Sequence, residues 1–291
     1  MVSGTASTAP AVEALEERSA PRRARSGLRV LLAAIDPMRL SGAALFVAMW
    51  QAMTYALPPV ILPTPLGVLR RTGADFWSAP SLSFYGVADA NFYANLIYTT
   101  ENVAFAVLIG TVIGVAAGLV SARFSLFRAV VDPVVLTAGT VPILIAAPFL
   151  LIWFGATRAS AVSLVTFYVV VILYIFAQRA ASNLDPIFEQ YARTFGATKA
   201  RMVRDILVPG TIPEILGGFR IALAGAWGLE AISELLGSQS GMGKVLEVLA
   251  GATDAQGIMA CLLLLGITAI VADALTALVI ARVVAWSTPA R

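Results

Sequence analysis

The chain has 291 residues, 59% of them hydrophobic and 13% charged, with a mean hydropathy of +0.85, well beyond the roughly 45–50% apolar content of a soluble domain. One cysteine, Cys261, and no histidine exclude an intrachain disulfide and any histidine-based metal or proton-relay site. The net charge of +3 is too small and too scattered for a nucleic-acid surface.

Residues 1–37 are rich in Ala, Ser, Arg and Glu and hold no apolar run as long as the core of a secretory signal, so they are expected to form a mostly disordered cytoplasmic tail. Residues 38–291 then form the membrane domain. The first apolar run is Leu40 to Leu57, closed by Pro58 and Pro59, and Arg18, Arg22, Arg23, Arg25, Arg29 and Arg39 precede it. Basic residues flanking a first span hold that end in the cytoplasm. A polar, turn-rich stretch leads to a second run from about Leu96 to Val120, where Gly110, Gly114 and Gly118 make a small-xxx-small ladder for close helix packing.

The third run, Val130 to Phe154, contains Pro133, Pro142 and Pro148 and is expected to be kinked or broken, because each proline removes a helical hydrogen bond. Further runs cover about Ala161 to Ala177, Ile215 to Leu236 and Ile258 to Trp286. Each is long enough to cross a hydrocarbon core, which takes roughly 20 residues of helix. The fold class is therefore all-α: a polytopic membrane protein of about six transmembrane helices.

With the N-terminus inside, Arg123, Arg128, Arg179, Arg193, Lys199, Arg201, Arg204, Arg282 and Arg291 all fall on the inner side. Only Arg70, Arg71, Arg158 and Lys244 fall outside, and Arg220 lies near the inner end of the fifth span. This asymmetry places both termini in the cytoplasm of a cell membrane.

The inner loop, residues 182–213, is long and patterned. Asp185 followed by Pro186 predicts an N-cap with proline at the first helical position. Ile187, Tyr191 and Phe195 recur at about four-residue spacing and make an apolar stripe, and Gly196 supplies the position that ends the helix. Thr198 caps a second helix, expected over Lys199 to Val208 and stopped by Pro209. On this pattern alone, a headgroup-level amphipathic helix and a plain connector remain open beside a docking element.

Read in order, Gln190-Tyr191-Ala192, three residues, Gly196, nine residues, then Ile206-Leu207-Val208-Pro209 resembles the EAA loop of ATP-binding-cassette (ABC) import permeases. The resemblance extends through Asp132-Pro133, Val141-Pro142, Ala147-Pro148, Trp153-Phe154-Gly155, Gly218-Phe219-Arg220, and Glu234 with Ser240-Gly241-Met242-Gly243. With Leu62-Pro63-Thr64-Pro65 it covers roughly residues 61–284 and is closest in kind to permeases for nitrate, sulfonates and taurine. It implies the type I importer fold, in which this loop is a coupling helix seated in a cytoplasmic ATPase. Carried onto this chain, the coupling residues are Ile187, Gln190, Tyr191, Ala192, Arg193, Phe195, Gly196, Ala197, Arg201 and Pro209. Two positions depart from the pattern: Gln190 stands for the motif's glutamate and Tyr191 for its first alanine.

The resemblance also implies the partners: a second permease copy, two ATPase subunits and an external substrate-binding protein. The permease itself is expected to perform no chemistry and to bind no cofactor, ATP being used by the partner ATPase. Ser238 to Val245 superficially echoes a phosphate-binding loop, but Ser238 and Val245 occupy positions that need glycine and a hydroxyl, so the segment is read as a turn into a short outer helix. Thr137, Thr140, Pro142, Trp153 and Trp227, with core packing as the competing role, and Glu230 and Glu234, with snorkelling to the outer interface or helix-to-helix pairing as theirs, are the pathway or gate candidates. Charges within spans are costly and so are suspects, and Asp273 is a candidate partner for Arg220. An ion-coupled carrier working alone is the alternative, but it would need buried charges or broken helices in two related halves, and no internal repeat is visible.

Overall fold

A computed structural model describes residues 37–87 and 89–284, and all of its regular structure is helical. The tail predicted over 1–37 and the end of the sixth run beyond Val284 lie outside the described residues, apart from Pro37 itself. Of the described residues, 37–55 form one unit, containing helix α1 (Pro37–Met53). At 1.5 Å per residue its 17 residues reach ~25 Å, short of a ~30 Å hydrocarbon core, so the first predicted span is a shorter apolar helix ending before Leu57.

The second unit begins with two short helices, α2 (Pro65–Asp75), capped by the Thr64 hydroxyl, and α3 (Pro80–Phe84). Then come α4 (Phe92–Arg123), α5 (Ser125–Thr140), a single 3₁₀ turn (Ile143–Ala146), α6 (Ala147–Phe154) and α7 (Arg158–Asn183). Helices α8 (Pro186–Thr194), α9 (Lys199–Met202), a π-helical turn (Val203–Leu207), α10 (Val208–Gly237), α11 (Met242–Gly251) and α12 (Ala255–Val283) complete it. Among the described residues, four helical stretches are long and apolar enough to cross a membrane: α4, α7, α9 through α10, and α12. The third predicted span is the broken pair α5 and α6, bent by 97° at Val141–Pro142, where proline ends the ladder as expected.

The glycine ladder of α4 is the central packing device. A Cβ on Gly110 would strike Val169, on Gly114 the Val170 carbonyl and Leu173, and on Gly118 Ala177 and the Tyr174 carbonyl. Rising numbers on α4 meet rising numbers on α7, so the two run parallel, their backbones as close as only glycine allows. Gly218 and Gly225 of α10 receive Phe176 and Tyr168 in the opposite sense, so α10 runs antiparallel to α7.

The broken pair runs the length of this assembly. Arg128 of α5 donates to the Ser121 carbonyl at one end, while Arg158, just beyond α6, reaches Glu101 and Asn102 at the other. Some twenty residues of α4 separate these anchor points, ~30 Å, so two bent halves cover one membrane thickness. The loop end carries Arg123 and α8, and the far end carries Asn102 and Glu234.

Candidate functional site

At the loop end, α8 and α9 have the predicted caps. The Asp185 carboxylate accepts from the Ile187 amide at 2.9 Å, and the Thr198 hydroxyl accepts from the Arg201 amide at 3.4 Å. Gly196 adopts φ +74°, a left-handed turn a side chain would strain, with open space where a Cβ would stand. Its turn is closed by the Ala197 amide donating to the Ala192 carbonyl at 2.9 Å.

The apolar stripe faces away from the core. Ile187 is 43% exposed, Tyr191 61% and Phe195 88%. Gln190, Arg193 and Arg201 are exposed with them, while Ala192 and Ala197 are half-buried on the inner side. The largest apolar side chains of this capped helix thus lie on its surface and not in the core of the bundle.

One expectation is corrected. Pro209 does not stop a helix: Lys199 to Gly237 is continuous, with the π turn between Val203 and Leu207 leading into α10 and Pro209 half-buried in its first turn. The Val208 amide bonds the Val203 carbonyl five residues back, and this widened turn gives the proline ring the room a regular α turn denies it. The second leg of the loop is therefore the base of the membrane helix itself.

The residues missed in the sequence are those that tie this loop down. Glu189, adjacent to Gln190, forms an ion pair with Arg123 in the last turn of α4 and faces Arg193 at 3.9 Å. Further along the same end of the bundle, Asp132 of α5, from the Asp132-Pro133 pair noted above, receives hydrogen bonds from Tyr174, from Gln178 Nε2 at 2.7 Å and from Ser121 at 3.3 Å. An acidic residue one place before the motif's glutamate position was the signal available for Glu189.

The far end is closed. Glu234 is 0% exposed, and its carboxylate accepts from the Thr99 hydroxyl at 2.8 Å, the Gly243 amide at 2.9 Å and, more distantly, the Asn102 amide at 3.5 Å. The Gly241 amide donates to Asn95 Oδ1 at 2.8 Å, and the Met242 amide to the Thr99 hydroxyl at 2.9 Å. Gly241 has φ +102° and a Cβ there would collide with the Glu234 carboxylate; one on Gly243 would collide with the Ala231 carbonyl. The Ser240-Gly241-Met242-Gly243 segment is thus a glycine turn wrapped round a buried carboxylate at the start of α11, as the short outer helix was expected to begin. Asn95, Thr99 and Asn102, spaced four and three apart on one face of α4, are the polar stripe that sequence reading passed over.

Glu230, one turn earlier on α10, is also fully buried, on the side of Asn102 and Arg158. Arg158 is held by Asn102, by Glu101 at 2.6 Å and over the Tyr98 ring at 4.6 Å. Trp227 is buried and borders an apolar cleft of about 360 Å³ with Leu246 and Leu262. By contrast Thr137, Thr140, Pro142 and Trp153 are exposed on the bent α5–α6 element. Thr140 and Pro142 line a cavity of about 300 Å³ closed by Phe167 and Tyr168 of α7. The pathway candidates thus fall into two groups: the bend, which is open, and the Trp227–Glu234 face, which is enclosed. Arg220 and Asp273 are paired as anticipated, through two contacts of 2.8 and 2.6 Å.

Outside the spans, Arg71 of α2 bridges Asp75 at 2.8 Å and Asp254, the N-cap of α12, at 3.1 Å. Burial raises the Asp75 carboxyl above its ordinary value of 3.8, against the opposing pull of Arg71.

Residues 110–285 match the family profile described as the binding-protein-dependent transport system inner membrane component. The chain is 25% identical to the taurine transport system permease TauC of Escherichia coli, over 70% of this chain and 73% of that one. It is 24% identical to the formylaminopyrimidine transport permease ThiX of Halalkalibacterium halodurans, over 73% and 80%, and 25% identical to the nitrate import permease NrtB of Synechococcus elongatus, over 68% and 71%. Its fold is similar to that in inward-facing structures of the MetNI methionine ABC transporter, with a TM-score of 0.58 at 20% identity, covering 65% of this chain and 94% of that one. A crystal structure of an amino acid ABC transporter with histidines gives a TM-score of 0.56 at 19% identity, covering 66% and 93%. A bundle of parallel and antiparallel apolar helices, one of them broken, with a capped and exposed helix at one end, belongs to the binding-protein-dependent inner membrane component family: the chain is a permease subunit of an ABC importer.

Proposed function

We propose that α8 is the coupling helix that seats in a cytoplasmic ATPase, and that this chain pairs with a second permease copy over two such ATPases, fed by an external binding protein. The exposed stripe of Ile187, Tyr191 and Phe195 on a capped helix carries this reading. Those side chains would bury as anchors, Gln190 would line the contact, Ala192 and Ala197 would back the helix from its half-buried side, and Arg193 and Arg201 would meet acidic rim residues. Gly196 sets the angle between the legs, and Pro209 stands where the second leg becomes membrane helix. The loop end is then cytoplasmic, both termini are on that side, and the far end faces the binding protein.

ATP is bound and hydrolysed by the partner, and this chain holds no cofactor. ATP-driven closure of the ATPases opens the pathway outward, and hydrolysis resets it inward. The pathway runs past Thr137, Thr140, Pro142 and Trp153 at the bend, with Trp227, Glu230 and Glu234 setting the rigid wall and outer gate. The substrate class is a small organic or inorganic anion, such as the taurine or nitrate named for two of the relatives.

The test is Gly196→Val against Gly196→Asn in the full chain expressed with its ATPase. Asparagine tolerates a positive φ, whereas a β-branched side chain does not. The valine variant is expected to lose co-purification and ATP hydrolysis while remaining monodisperse, and the asparagine variant to keep both. Equal ATPase capture by both variants would refute the docking role of this loop.

A further inference from the structure

The last turn of α4 is a junction. Arg123 forms its ion pair with Glu189 of α8, the two side chains 32% and 22% exposed, so solvent screens the pair only in part. Two residues earlier, the buried Ser121 hydroxyl lies 2.7 Å from the Tyr174 hydroxyl and 3.3 Å from Asp132 of α5. Arg128 of α5 donates to the Ser121 carbonyl at 3.2 Å and to the Ser182 hydroxyl, at the end of α7, at 3.4 Å. Among the described residues, the hydrogen bonds that cap α8 are local, through Asp185 and the turn at Gly196. Among the described residues, the Arg123–Glu189 pair is the polar contact that carries α8 onto another helix.

A nine-residue helix between a short connection at Leu184 and a glycine turn could rotate in place without dragging the bundle. We infer that Arg123 and Glu189 are positioning residues that prevent this: their pair transmits displacement of α8 to the last turn of α4, and the Ser121–Asp132–Tyr174 cluster passes it to the bent helix α5. The inference rests on the coupling role proposed for α8. It also gives Glu189 a different duty from an ATPase-facing carboxylate, since its charge is spent inside the chain and the neighbouring exposed position is the neutral Gln190.

The test is charge reversal: Arg123→Glu, Glu189→Arg, and the two together, each followed by hydrogen exchange. In the permease alone in nanodiscs, each single change is expected to raise amide exchange across 186–194 about tenfold, and the double change to restore it to within about threefold of the parent. In the complex with its ATPase, vanadate trapping with ATP is expected to alter exchange across 134–140 of α5 in the parent and the double variant, and in neither single. Both singles should still co-purify with the ATPase, because Tyr191 and Phe195 are untouched. Unchanged α8 exchange in the singles, or failure of the double to recover, overturns the inference. Loss of ATPase capture in Glu189→Arg and in the double variant also overturns it, by placing Glu189 in the docking surface. If even the parent chain captures no ATPase, the docking reading fails, and with it the transmitting role; the exchange of the isolated permease still reports whether the pair holds α8.

Discussion

The two ends of the α4 helix treat their polar and apolar groups in opposite ways. At the far end the Glu234 cradle is enclosed: Glu234 meets Thr99 and Gly243, Asn95 meets Gly241, and two glycines exist where a Cβ would collide. At the loop end the apolar groups of α8 are left in the open, and the polar groups behind them are paired. A buried carboxylate with its donors paired, as in the Glu234 cradle, makes a rigid fixture, since any motion leaves those donors unpaired in a low-dielectric interior; among the described residues, the neighbouring Glu230 carboxylate has no such partners and is not part of it. An exposed stripe on a secured helix makes a surface that something else must cover. On the coupling role proposed for α8, one end is built to stay and the other to be pushed.

The sharpest way to break this contrast is at Gly243. Gly243→Val would drive a side chain into the Ala231 carbonyl and Glu234, and monodisperse protein recovered by size-exclusion chromatography is expected to fall more than about tenfold. Glu234→Ala should follow, leaving the Gly243 amide buried without an acceptor and the Thr99 hydroxyl with only the Asn95 carbonyl at 3.1 Å, at a cost on the order of 2 kcal/mol, read as a lowered thermal midpoint in detergent. A midpoint unchanged by that substitution would mean the cradle is not a fixture.

At the loop end the same truncation has the reverse signature. Phe195→Ala and Tyr191→Ala remove exposed side chains, so stability should move by less than about 0.5 kcal/mol while ATPase capture weakens at least about tenfold. A lower thermal midpoint without loss of capture would make the stripe a folding element. The smallest effect is expected at Asp75, whose burial favours the protonated form. Because the folded-state value lies above the unfolded one, this carboxyl's contribution to stability is full below the unfolded value of 3.8 and is lost as pH rises through the raised value. Asp75→Asn should therefore raise the thermal midpoint slightly at pH 7, with the gain shrinking as pH falls toward 4. A gain independent of pH would refute that origin.

Much of this molecule was legible one residue at a time. The cap at Asp185, proline at 186, the turn at Gly196 and the cap at Thr198 involve partners within a few positions, and each lies where the residue types require. The apolar runs and the break at Pro142 are equally local, since a helix forms or fails on its own backbone. Pro209 was misread for the same reason: its usual effect assumes a regular α turn before it, and a π turn is not written in any one residue.

What composition and spacing determined by themselves is a membrane bundle with a helix-turn-helix at one end, because hydropathy, capping and glycine conformation depend on near neighbours. The tertiary structure alone decided which polar residues are spent on one another. Thr99 reaches Glu234 across 135 positions and Tyr174 reaches Asp132 across 42. Glu189 finds Arg123 only after α4 has packed along α7. Such pairings arise from helix packing in three dimensions, where chain distance carries no information and a carboxylate bound for a buried cradle is spelled like one bound for open water.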